Sequence, residues 1–195
     1  QEVVPDSGCG SWLFEPQSTN LITYSEDYSQ WTNGTTYTTQ NYSISPDGTQ
    51  NASRCLFTNV NQGIINTTTL SAGVVCTASV YVKGVENETI LLASGGVDSI
   101  HTLNGNWQRI QATKTSVNST MIIGTFGGAT ARDIEIWGGQ VEEQSYATSY
   151  IPTSGTSVTR NQDVCTNGGS VSTINSTEGV LYAEISALAN SGSFR

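Results

Sequence analysis

His101 is the chain's single histidine, so it is the only imidazole available to a nucleophile-plus-base mechanism. It stands just before the turn tip Asn104-Gly105-Asn106 and reads as a surface residue. Acidic pairs occur at Glu26-Asp27 and Glu142-Glu143. Glycoside hydrolysis uses two carboxyl groups, but they must face each other across a sugar. Neighbours on an extended chain point to opposite sides, so neither pair forms that arrangement by itself. The sequence holds no Gly-rich phosphate loop and no cofactor motif. It therefore offers no catalytic residue, and the chain is expected not to be an enzyme.

Cys9, Cys55, Cys76 and Cys165 lack the closely spaced pairs of a zinc site. Four thiols permit three disulfide connectivities, among which Cys9 with Cys165 would staple the two ends of a domain; free buried thiols are the other reading. Seven Asn-x-Ser/Thr sequons occur, at Asn33, Asn41, Asn51, Asn66, Asn87, Asn118 and Asn175. Ser and Thr are abundant enough to produce several of these by chance. A net charge of -9 with seven Lys and Arg argues against nucleic acid or an anionic membrane surface as partner, since both require clustered positive charge. No apolar run approaches the about 20 residues that span a bilayer, so no membrane insertion is expected.

The elements that must carry any site are strands. Charged residues form only 12% of the chain, Gly numbers 20, and Ser, Thr and Asn recur in runs such as 32–39 and 66–69. That composition favours strands and turns over helices. The spacing predicts short strands at 11–14, 21–24, 41–44, 54–60, 63–70, 74–82, 89–94, 97–103, 107–113, 116–126 and 131–137, following one another as a meander. The run 74–82 is nearly continuous in apolar and β-branched residues and fits a central strand covered on both faces. Asn104-Gly105-Asn106 predicts a hairpin between 97–103 and 107–113. Within Asp133-Ile-Glu-Ile-Trp, the period of two sends Ile134 and Ile136 to one face and Asp133, Glu135 and Trp137 to the other. Gly138-Gly139 then permits a bend or bulge that ends the regular pairing.

Asp133-Ile-Glu-Ile-Trp-Gly-Gly-Gln-Val-Glu and Ala147-Thr-Ser-Tyr-Ile-Pro-Thr resemble the closing strand of a jelly-roll module found in tailed-bacteriophage tail fibres, head fibres and spikes. Glu15-Pro-Gln-Ser-Thr-Asn-Leu-Ile-Thr-Tyr-Ser-Glu-Asp-Tyr-Ser-Gln-Trp resembles the module's opening. Ser45-Pro-Asp-Gly-Thr, Ser79-Val-Tyr-Val-Lys-Gly and Trp107-Gln-Arg-Ile fall between them in the same order, over about residues 11–160. The resemblance implies an all-β, two-sheet antiparallel jelly-roll sandwich of about eight to ten strands. Residues 1–19 would form a leading segment, 20–152 the sandwich and 153–178 an extended polar linker. Residues 179–195 would be the first strand of a truncated concanavalin-like sandwich that continues past Arg195.

The implied role is a non-enzymatic virion structural module on the particle exterior. Its expected partners are other virion proteins, copies of itself as a homotrimer, and a host surface glycan. The same jelly-roll shape occurs in secreted carbohydrate-binding modules of polysaccharide-degrading enzymes, which is the alternative reading. On such a face Trp31 and Trp107 are candidates for stacking on sugar rings, or for filling the core. Carbohydrate-binding jelly rolls often hold a structural calcium, and Glu26 and Asp133 occupy comparable places. An exposed Glu26 and a turn-capping Asp133 are the other reading. Tyr146, Tyr150 and Ile151 form an apolar cluster expected to contact a neighbouring subunit or domain.

Overall fold

Valines, isoleucines and threonines alternating with polar residues build fourteen strands among the described residues, which are 3–4, 11–12, 14–33, 37–125 and 131–164 of this computed structural model. They are β1 (Val3–Val4), β2 (Ser11–Trp12), β3 (Ser18–Asn20), β4 (Thr32–Asn33), β5 (Tyr37–Ser43), β6 (Ala52–Phe57), β7 (Gly63–Thr67), β8 (Val75–Lys83), β9 (Thr89–Ser94), β10 (Val97–Thr102), β11 (Gln108–Thr115), β12 (Thr120–Gly124), β13 (Arg132–Glu142) and β14 (Val158–Arg160). All belong to the unit Gln1–Asp163. The expected strand in 179–195, Cys9 and Cys165 lie outside the described residues.

Two five-stranded antiparallel sheets face each other, a first of order β10-β9-β12-β7-β4 and a second of order β11-β8-β13-β6-β5. The chain is therefore an all-β jelly-roll sandwich. The connectivity is not the expected meander: β8 and β9, β10 and β11, and β12 and β13 are consecutive in sequence but lie in opposite sheets. The expected hairpin at Asn104-Gly105-Asn106 is corrected on the same ground. Gly105 does take a left-handed φ of 80°, and Asn106 N–H donates to Asn104 Oδ1 at 2.9 Å, yet this turn carries the chain across to the other sheet. The hairpin is at Gly95-Gly96, with φ of 55° and 78°, where β9 meets β10.

Alternation decides what each strand buries. In β8, Cys76, Ala78, Val80 and Val82 enter the core while Thr77, Ser79, Tyr81 and Lys83 take the other face. The strand pairs on both sides, as its composition predicts. In β13, Ile134 and Ile136 join Val80 in the core, opposite Ile64, Ile90, Leu92, Met121 and Ile123 of the first sheet. Cys55 and Cys76 are free, buried thiols; burial raises the Cys55 pKa, and Cys76 Sγ lies 3.2 Å from Ser94 Oγ of the facing sheet. His101 is half-buried rather than freely exposed. It pairs with core residue Ile90, and burial lowers its pKa, which favours the neutral ring.

Residues 153–163 do not form the expected linker. β14 pairs with β3, and Tyr24 bridges to Ser154, so this stretch closes the sandwich against its own leading segment.

Candidate functional site

The outward face of the second sheet is built by the residues that alternate with the core set. Arg109 of β11 lies directly opposite Tyr81 of β8, and Tyr81 opposite Trp137 of β13, giving one row across three strands. The Arg109 guanidinium carbon is 5.4 Å from the Tyr81 ring centroid. The Tyr81 and Trp137 rings are 5.3 Å apart at 55°, and Trp137 and Tyr150 4.5 Å apart at 55°. These are the tilted geometries that aromatic quadrupoles favour. Just past Trp137 the pairing register shifts and Gly138 takes φ 67°, but pairing does not end at the glycines as expected: it resumes at Gln140 opposite Ser79 and runs to Glu142. That bulge gives Tyr150 room: a Cβ at Gly138 would stand 3.3 Å from the tyrosine ring.

Tyr150 is held from beyond the sheet. Its hydroxyl is 2.6 Å from Ser25 Oγ and donates to Glu26 Oε1 at 2.9 Å, while burial and then the nearby carboxylate raise its pKa. Glu26 Oε2 accepts from Asn51 Nδ2 at 3.1 Å, and the same amide donates to Asp47 at 3.1 Å. Asp47 also accepts from Ser45 Oγ and Thr49 N–H, each at 2.7 Å; these donors, Ser45 foremost, lower its pKa to about 2. Toward the other end of the face, Arg54 grips Asp133 through two bonds of 2.7 and 2.5 Å and lies over the Tyr42 ring. Lys83 meets Glu135 at 3.3 Å, and Ser43 Oγ donates to the same carboxylate at 2.6 Å. The chain after β5 thus arches over the sheet, and Trp107 Nε1–H reaches Ile44 O at 3.2 Å.

The structure redistributes the residues singled out from the sequence. Trp31 is corrected to a core residue. It is 3% exposed, its Nε1–H donates to Tyr24 O at 2.8 Å, and a Cβ at Gly139 would come within 3.0 Å of its ring. Trp107 stays partly exposed on the rim, bonded to the backbone of Ile44, whose side chain is 62% exposed. Glu26 and Asp133 are not brought together as a calcium pair. Glu26 serves Tyr150 and Asn51, while both Asp133 oxygens are taken by Arg54, which lowers the acid's pKa. Among the described residues no group of three or more His, Cys, Asp or Glu could hold a metal ion.

The expected contact cluster at Tyr146, Tyr150 and Ile151 is also corrected. Ile151 is 3% exposed and so covered within the chain, Tyr150 packs against Trp137 and keeps only part of its surface exposed, and Tyr146, 42% exposed, projects. Sequence reasoning missed Tyr81 and Arg109 and gave Trp137 no role. The usable signal was the alternation, which places aromatic rings and a cation at outward positions of neighbouring strands.

No protein-family description and no curated protein matches the chain. Solved structures with a similar course include the CBM22-1 and GH10 modules of Clostridium thermocellum xylanase 10B with xylohexaose (TM-score 0.43, 16% identity, 70% of this chain). The chain spans 30% of the length of that structure. The CBM22-1 xylan-binding domain of Paenibacillus barcinonensis Xyn10C gives a TM-score of 0.42 at 15% identity, over 67% of this chain and 94% of that one. The enzymatically active domain of bacteriophage CBA120 tailspike protein 4 gives 0.41 at 11% identity, over 62% and 21% respectively.

Proposed function

We propose that the chain is a non-catalytic, glycan-binding jelly-roll module of a virion surface fibre or spike, and that the outward face of the second sheet is its binding face. The observation that carries the reading is the row Tyr81–Trp137–Tyr150 on the side of a sheet turned away from the core, where two partly exposed tyrosine rings flank a Trp137 ring that touches both and is itself 6% exposed. A sugar ring presents C–H groups on its faces and hydroxyls at its edge, so it matches an aromatic floor bordered by polar groups. Here the borders are the exposed Gln111 and the Glu26–Asn51–Asp47 chain. The virion setting is supported by the order of the sequence words between Glu15 and Thr153, which also favours homo-oligomeric assembly on the particle exterior. A secreted carbohydrate-binding module attached to a polysaccharide-degrading enzyme would use the same face.

Binding to a panel of bacterial surface polysaccharides tests the reading, with product sizing in the same samples. Tyr81→Ala should weaken binding by about tenfold, equivalent to about 1.4 kcal/mol. Unchanged affinity in that variant would move the site elsewhere, and release of shorter chains would make the protein an enzyme.

A further inference from the structure

We infer that the glycan taken by this face carries a carboxylate, as a uronic or sialic-type sugar does, and that Arg109 receives it. The inference rests on the binding face proposed above. The chain is poor in cations and rich in acids. Its described basic residues are largely spoken for: Arg54 pairs with Asp133, Lys83 with Glu135, Arg132 with Glu88 and Arg160 with Glu15. Of the two that remain outside ion pairs among the described residues, Lys114 lies further along β11 opposite Cys76, whereas Arg109 lies in the aromatic row.

Arg109 is positioned rather than loose. Nη2 donates to Ser79 Oγ at 3.0 Å, and the guanidinium lies over Tyr81, which orients its planar fork of donors. Its buried Nε–H has no acceptor among the described residues. On the other side of Tyr81, Trp137 is 6% exposed, and its Nε1–H is likewise without an acceptor. One row therefore holds an uncompensated cation and two unmatched buried donors flanking a tyrosine ring. A buried donor left unpaired costs about 1–3 kcal/mol, so the row favours a ligand rich in acceptors. A carboxylate fits better than hydroxyls alone, because guanidinium and carboxylate form parallel, charge-assisted hydrogen bonds. In a protein of net charge -9 a polyanion would otherwise be repelled, so selection for one requires such a local cation.

The test is titration of the whole chain with oligogalacturonate, with oligosialate, and with the carboxyl-reduced form of each, at low and raised salt. The expected result is at least tenfold preference for one acidic ligand over its reduced form, with the preference shrinking as salt rises; which acid binds identifies the sugar class. Arg109→Gln should abolish preference and salt dependence while leaving weak binding to the reduced form. Arg109→Lys should recover the salt dependence but only part of the preference. Circular dichroism and urea midpoints matching the unmodified chain would establish that both variants fold. Equal affinity for acidic and reduced ligands, still lost in Tyr81→Ala, would overturn the carboxylate inference and leave the binding face standing. No binding to any saccharide tested would overturn both.

Discussion

Glu142 is fully buried and, among the described residues, has no basic partner; instead it is solvated by the protein. Ser18 Oγ donates to it at 2.5 Å, Thr148 N–H at 3.0 Å and Thr148 Oγ1 at 2.5 Å. Its neighbour Glu143, just past the end of β13, is exposed. Glu142→Ala would strip three donors of their acceptor in a closed site, so it should cost about 3 kcal/mol in urea unfolding, with Glu142→Gln losing less. A loss below about 1 kcal/mol in the alanine variant would show that water replaces the carboxylate. Asp47 gives a pH-dependent counterpart. Its folded pKa, about 2, lies below the ordinary value of 3.8, so the folded state binds the proton less readily than the unfolded one. The stability it contributes is complete above the ordinary value and is lost as pH falls toward 2. Asp47→Asn should therefore unfold more easily than the parent chain at pH 6, with the gap between their urea midpoints closing as pH drops from about 4 to about 2. A gap that stays constant over that range would separate Asp47 from the acid sensitivity of the turn.

Among the elements, β13 tests the register most directly, because a slip of one residue would turn Ile134 and Ile136 outward. Ile136 is fully buried, and Ile136→Ala should cost about 2–4 kcal/mol. Glu135→Ala should cost under about 1 kcal/mol, since its pair with Lys83 is partly exposed to solvent. Equal losses in chemical denaturation would contradict the register. β8 was legible in the sequence from its nearly continuous apolar and β-branched run, and β13 as far as Trp137 from its alternation of apolar with polar or aromatic residues. The pairing of strands was not. Asn104-Gly105-Asn106 and Gly95-Gly96 both supply left-handed backbone, yet only the second joins partners in one sheet. Turn chemistry specifies a reversal, whereas the choice between sheets depends on which apolar faces meet, a property of distant residues. Tyr81 and Arg109 escaped notice for the same reason, being 28 residues apart in sequence but directly opposite in the sheet. Trp31, a sound candidate for stacking by type, proved to fill the core beneath the Gly139 bulge.

At the scale of the molecule, the jelly roll is closed by its two ends. Asn20 is fully buried and uses its whole amide: Nδ2 donates to Gly139 O and Ile151 O, and Oδ1 accepts from Ile22 and Val141 N–H. Ser25 and Thr153 exchange hydrogen bonds, with Thr153 N–H to Ser25 Oγ at 2.8 Å and Ser25 N–H to Thr153 Oγ1 at 3.1 Å. Glu15 accepts from Ser149 N–H at 2.7 Å and pairs with Arg160, and Glu15 N–H donates to Asp163 Oδ2 at 3.1 Å. Composition after Pro152 read as linker because Ser, Thr and Gly carry no apolar alternation, yet the partners of this stretch are backbone groups and a carboxylate of the leading segment, which no local pattern reveals. Ile151 is thus buried and Tyr150 largely packed inside one chain, whereas Tyr146 and Val158 stay exposed, so an oligomer does not need the first two as its interface. Two measurements follow from this closure. The bonds within 146–162 should resist limited proteolysis even at concentrations where light scattering reports a monomer. Ending the chain at Pro152 should lower stability by several kcal/mol relative to ending it at Asp163, at about 1 kcal/mol net for each hydrogen bond removed. Rapid cleavage within 146–162 of the monomer, together with equal stability of the two truncated chains, would return this segment to the role of a linker that only a neighbouring subunit orders.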